Sequence, residues 1–169
     1  MQTLAANIAY IGVERSTRYL ADMNPPVTLE MINIGPPYTL NDIFNAFEAA
    51  FNRVQSSAEY VALTKQGERP RIVAIVDAIS SMPGLLMPWE RIVEFCKGHE
   101  NVWSLVDAAH AIGQIVDTNL SEIVPDFWVS VRPILVIRAF EAEFSWSEQN
   151  CHKWLYAKRG CAVLYVPRK

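Results

Sequence analysis

The chain has 169 residues, 51% of them hydrophobic, and a net charge of -3. Such a length and composition suit one domain with a substantial core. The charge balance, with no run of Lys or Arg, points away from a nucleic-acid partner. No apolar run nears the roughly 18 residues of a membrane span, and the N-terminus lacks the basic flank and small-residue cleavage site of a secretion signal. Three widely spaced cysteines, Cys96, Cys151 and Cys161, suit a reducing compartment better than a disulfide framework. The expectation is a soluble, cytoplasmic α/β domain with no membrane partner.

In chain order, Leu4 to Ala21 carries Ile8, Ile11, Tyr19 and Leu20 at loosely helical spacing, which predicts a helix stopped by Asn24-Pro25-Pro26. VTLEMINI, residues 27–34, alternates apolar and polar positions and reads as a strand. Gly35-Pro36-Pro37 is a turn. Leu40, Ile43, Phe44, Phe47 and Phe51 form a helical stripe, capped by Thr39 or Asn41. Residues 55–70 are polar and read as loop for part of their length. Arg71 to Ile79 is a nearly continuous apolar run, the pattern of a strand buried on both faces in a parallel sheet. Met87 to Cys96 reads as a helix with Pro88 near its first turn. Val102 to Val106 is the next strand, and Asp107 opens a short helix to about Ile115. Asp126–Ser130 and Cys161–Val166 are the remaining strands. Alternation of strand and helix argues for an α/β class, a mostly parallel sheet flanked by helices. Ligands of such sheets sit outside the carboxyl ends of the strands, where Asp107, Ser80 and Ser130 are placed.

Two stretches carry the chemistry. VWSLVDAAHAIG, from Val102, is an apolar run that stops on Asp107 and His110. NCHKWLYAKRGCAVLYV, from Asn150, sets Lys153 in a polar turn before a strand-like run. Neighbouring strand ends of that kind let an amine and a carboxylate face one ligand, which is the pair a pyridoxal phosphate enzyme needs. VDAAHAIGQ, then DFWVS, then NCHKWLYAKRGCAVLYVP together resemble the cofactor core of the class V aminotransferase family. The resemblance is to its isopenicillin N epimerase-like and hercynylcysteine sulfoxide lyase-like branch. IVAIVDAISSMPGLLMPWERIVEFC and IGVERSTRYLADMNPPVTLEMINI fit the same pattern, so the likeness covers nearly the whole chain.

The resemblance implies a pyridoxal 5'-phosphate cofactor, an amino-acid substrate and a homodimer. It assigns Lys153 as the catalytic lysine that forms the Schiff base and Asp107 as the acid against the pyridine nitrogen. His110 falls on the phenolic-oxygen side, His152 on the phosphate side, and Asn150 in the loop before the lysine. Ser80, or its neighbour Ser81, is placed to hydrogen-bond the ring. Plainer readings stand beside these: a helix-capping Asp107, a buried His110 and a turn Ser80. Lys158 and Arg159 are candidates for the field that lowers the pKa of Lys153. The adjacency of Cys151 and His152 does not give tetrahedral zinc spacing, and no G-x-G-x-x-G or P-loop sequence supports a nucleotide enzyme. Trp128, Trp154 and Tyr156 read as packing aromatics.

The family pattern runs from DFWVS directly into NCHKW, whereas here residues 131–149 intervene. That segment opens on Val131-Arg132, whose codons can spell a splice donor, and closes on Gln149, whose codon can be the CAG of an acceptor. The two readings are an in-frame retained intron and a real loop insertion. The resemblance further implies that residues 1–169 are part of the large, cofactor-binding domain, without the phosphate-cradling turn and the small C-terminal domain. Its implied reaction is carbanion chemistry at an amino-acid α-carbon, C–S cleavage or epimerisation, and the alternative is a non-catalytic remnant.

Overall fold

The computed structural model describes residues 1–111, 114–116, 118–130 and 163–167. Its strands are β1 (Gln2–Ala6), β2 (Thr28–Ile32), β3 (Ile72–Asp77), β4 (Val102–Asp107), β5 (Phe127–Ser130) and β6 (Val163–Tyr165). They form one sheet in the order β2-β1-β3-β4-β5-β6. The first five strands are parallel and β6 runs antiparallel to β5. The helices are α1 (Ile11–Met23), α2 (Leu40–Gln55), α3 (Ala58–Lys65), α4 (Trp89–Lys97) and α5 (Leu120–Ile123). The mostly parallel α/β architecture expected from the alternating pattern is therefore present.

Right-handed crossovers fix the layers. The step from β1 to β2 runs one way along the sheet and the steps to β3 and β4 run the other, so α1 lies on the face opposite α2 and α4. The second pair closes the main core. Ile43, Phe44, Phe47, Ala50, Phe51 and Val54 line one stripe of α2, and Trp89, Ile92, Val93 and Cys96 line α4. Phe95 stands edge-on to Phe47 and Phe51 at centroid distances of 5.5 and 5.0 Å. Under them lie Leu4, Ala6, Ile72, Ala74, Val76, Val102 and Val106. Burial pushes the Cys96 thiol up to about 12, so this cysteine is a packing residue and not a nucleophile. The opposite face carries Val73, Ile75, Trp103, Leu105 and Phe127, with the Arg71 guanidinium 4.5 Å over the Trp103 ring.

Local chemistry sets the boundaries. Thr39 caps α2 by accepting from the Asp42 N–H at 3.1 Å, so Thr39 and not Asn41 is the cap. Ser57 caps α3 in the same way through the Tyr60 N–H. Asn24 ends α1 directly before Pro25-Pro26, as the proline rule requires.

Two expectations need correction. Leu4 to Ala21 is not one helix: Gln2–Ala6 is a fully buried strand between β2 and β3, and α1 begins only at Ile11. Leu-Ala-Ala favours helix in isolation, but burial on both faces of a parallel sheet overrides that preference. After Asp107, residues 108–111 form a turn where a helix was expected, and among the described residues the next helix is the four-residue α5. The polar stretch 55–70, loop for part of its length, also holds α3, a helix with no buried residue, supported by its cap and good helix formers.

Candidate active site

The parallel strands all end at one edge of the sheet, and two of them end alike. Val76-Asp77-Ala78 closes β3 and Val106-Asp107-Ala108 closes β4, with Asp77 and Asp107 direct register partners. Neighbouring strands lie about 4.8 Å apart, and register partners project to the same face. The two carboxyls therefore stand side by side. The ends are laced together: the Ala78 N–H donates to the Asp107 carbonyl at 2.7 Å and the Ala108 N–H to the Val129 carbonyl at 2.7 Å. Ser130, fully buried at the end of β5, donates its hydroxyl proton to the Ala108 carbonyl at 3.0 Å.

Asp107 is half-buried, and its Oδ1 accepts from the Ala109 N–H at 2.9 Å. The turn-capping role and a ligand-facing role coexist in this geometry, since one carboxylate oxygen orients the group and the other is left for a second donor. Three residues on, half-buried His110 lines an open concavity of about 420 Å³ with Ile79, Ser80, Ser81, Gly84, Leu86 and Gln114. The loop after β3 and the turn after β4 thus form its two walls. Ser80 is 1% exposed; its hydroxyl donates to the Pro83 carbonyl and accepts from the Leu85 N–H at 3.2 Å. It holds the loop in shape, and the half-buried Ser81 beside it lines the same concavity.

Asp77 was not among the residues singled out by the sequence. It is 5% exposed, and its Oδ2 has no hydrogen-bond partner among the described residues. Burial first, and the Asp107 charge second, push its carboxyl up to about 7, against the pull of the Tyr10 N–H that it accepts. The signal that marks it in the sequence is the repeated Val-Asp-Ala, once at each of two strand ends.

Of the expected site residues, Asp107, His110 and Ser80 come together at one edge of the sheet, with Ser130 behind them. Asn150, His152 and Lys153 lie outside the described residues, as do Lys158, Arg159 and the segment 131–149. The described part offers an oriented acid, an imidazole and a concavity between strand-end loops. That set of groups fits a flat ligand carrying a cationic ring N–H, with the acid oriented by its backbone donor.

No protein-family model matches the chain. Individual proteins do. An L-cysteine desulfhydrase-like protein of Epichloe uncinata is 32% identical over 160 residues, covering 95% of this chain and 28% of that protein. The hercynylcysteine sulfoxide lyase of Schizosaccharomyces pombe is 40% identical over 95 residues, which is 56% of this chain and 19% of that enzyme. The chain thus spans less than a third of the length of these relatives. Among solved structures, a cystine C–S lyase in complex with its product cysteine persulfide superposes with a TM-score of 0.61 at 17% identity, over 98% of this chain and 35% of that one. A cysteine desulfurase from Escherichia coli gives 0.58 at 14% identity, over 98% and 31%. The fold is shared with both.

Proposed function

The chain belongs to the class V aminotransferase family of pyridoxal phosphate enzymes, beside the cysteine desulfhydrase-like and hercynylcysteine sulfoxide lyase proteins, and from that premise we propose that it carries the cofactor core of a C–S lyase acting on a sulfur-bearing amino acid. The observation that carries the reading is Asp107: an acid at the carboxyl end of a parallel strand, oriented by the Ala109 N–H, three residues before a histidine that lines a concavity.

Within this reading Asp107 would hold the pyridine nitrogen, His110 and Ser80 the ring side and His152 the phosphate, with Asn150 in the loop before Lys153, the lysine that would bind the cofactor covalently. When bound, the cofactor supplies an electron sink for the α-carbon of an amino acid. Asp107 would pair with the ring nitrogen, and Lys153 would be the acid/base group for the α-proton, with Lys158 and Arg159 as candidates for the charges that lower its pKa. With that electron sink the cofactor would support loss of the sulfur substituent as a thiol, the remainder and water giving a keto acid and ammonia. Epimerisation is the alternative outcome of the same chemistry, and the desulfhydrase and lyase names of the relatives favour C–S cleavage.

The reading includes a homodimer working in the cytoplasm. Among the described residues no helix is long and apolar enough to cross a membrane. Residues 131–149 are read as an in-frame retained intron, and transcripts that all contain the segment would overturn that assignment.

The test is incubation of the purified chain with pyridoxal phosphate and then with L-cysteine or S-substituted cysteines, assaying sulfur product and keto acid. The parent should gain a visible absorption band that borohydride bleaches and should release product, whereas Lys153→Ala should do neither. A chain with no band and no product would be the non-catalytic remnant instead.

A further inference from the structure

The β3 end poses a chemical problem that the proposed cofactor chemistry leaves unused. Asp77 is an acid that is 5% exposed, with one oxygen unpartnered among the described residues, standing beside a second acid in strand register. Two ionised carboxylates at that spacing repel, and a buried acceptor without a donor costs free energy as well. A single proton resolves both. Placed on Asp77 Oδ2, it turns the orphaned acceptor into a donor and removes the like charge.

The surroundings decide which acid carries the proton. Asp77 accepts from the Tyr10 N–H at the start of α1 and faces Asp107 on β4. Past the end of β1, the neutral Asn7 side chain is tied to the Ile34 backbone, with its Nδ2 donating to the carbonyl and its Oδ1 accepting from the N–H. On its own loop Ser80 bonds to Pro83 and Leu85, and beyond Asp107 the titratable group is His110. Among the described residues, the charge acting on Asp77 is that of Asp107. Asp107 is the more exposed of the two, so a charge costs less desolvation there than on the sealed Asp77.

We propose that Asp77 is a positioning residue for Asp107: the sealed acid at the β3 end keeps a proton, so that the β4 acid beside it faces a cationic ring nitrogen as the single anion of the pair. The pair itself arises from the strand register, and its purpose rests on the cofactor reading above. A cationic N–H docked on Asp107 offsets the charge that Asp77 feels, so Asp77 becomes more acidic on binding and gives up part of its proton to solvent. Affinity for the cation therefore rises with pH through the neutral range and levels off above it.

The test starts without cofactor. Carboxyl carbon-13 NMR of the 169-residue chain labelled at aspartate, with the Asp77 signal assigned by its loss in Asp77→Asn, should show a midpoint near neutrality, about 7. Asp107→Asn should lower that midpoint by roughly one unit or more, a tenfold change in proton affinity. An Asp77 midpoint in the ordinary carboxylate range in the parent chain overturns the proposal, as does one indifferent to Asp107→Asn. Pyridoxal phosphate is then added at pH 7 in buffers of different ionisation heat. The parent should release more protons than Asp77→Asn, with any contribution from Lys153 common to both, and equal release contradicts the link to the ligand. A chain that shows that titration but binds no cofactor would overturn the cofactor reading while upholding the pair.

Discussion

The ends of β3 and β4 share the tripeptide Val-Asp-Ala and the same register position, yet their acids live differently. Asp77 is sealed in, accepts the Tyr10 N–H, and is pushed up to about 7 by burial and by its neighbour. Asp107 is half-buried, has one oxygen fixed by a backbone donor, and sits at the head of the turn that carries His110. The difference arises from the connection that leaves each strand. After β3 the loop folds back on itself through Ser80, Pro83 and Leu85, and after β4 the chain turns at once through Ala108 and Ala111. Identical local sequence thus yields a sealed acid in one place and a half-buried, turn-capping acid in the other. Environment, more than residue type, assigns the roles.

The largest expected effect tests the sealed acid. Because the folded chain holds Asp77 above its ordinary value of 3.8, it keeps a proton that the unfolded chain loses. This contribution to stability is fully present below about pH 4, is lost as pH rises toward 7, and is level above that. A shift of about three units corresponds to roughly 4 kcal/mol. Asp77→Asn cannot ionise, so its urea-unfolding stability should match the parent near pH 4 and exceed it by about that amount at pH 8. Parallel profiles for the two chains would remove the comparison altogether. A natural acid retained at such a cost fits a site where function opposes stability.

Next in size is an attempt to push the two ends apart. Ala78 and Ala108 are both completely buried beside the acids. Ala78→Val should cost about 1–3 kcal/mol by overpacking, read as a fall in urea midpoint with unchanged slope. Ser130→Ala removes the donor that holds the Ala108 carbonyl. Its expected cost is about 1 kcal/mol, with the turn carrying His110 exchanging its amide protons faster than in the parent. Smallest of all is Arg18→Ala, which breaks the exposed pair with Glu14 at 2.9 Å. Here about 0.5 kcal/mol or less is expected, with no change in the Asp77 titration, so it serves as the control far from the strand ends.

Much of this was legible from residues alone, for physical reasons. The runs at β3, β4 and β5 are apolar because both faces of a parallel sheet are covered, and α2 announces itself by a stripe of phenylalanines. The acid, histidine and serine of the strand-end motifs fall at one edge as expected. β1 was missed because Leu4, Ala5 and Ala6 are good helix formers that only tertiary burial makes into a strand. In α3 no apolar face exists to give it away, and the Ser57 cap is its main signal. Asp77 escaped because an acid at the end of an apolar run looks like a strand terminus facing solvent. Its burial depends on pairing with a strand that lies beyond a helix, and periodicity within one segment carries no information on register between two.

The measurement that bears most directly on the whole account is the identity of the lysine that the cofactor modifies. The chain would be incubated with pyridoxal phosphate, reduced with borohydride, digested and read by mass spectrometry. The account predicts the pyridoxyl mass on the peptide containing Lys153, at near-stoichiometric yield and weakened in Asp107→Asn. Label scattered over surface lysines such as Lys65 and Lys97, with Lys153 unmodified, would contradict it.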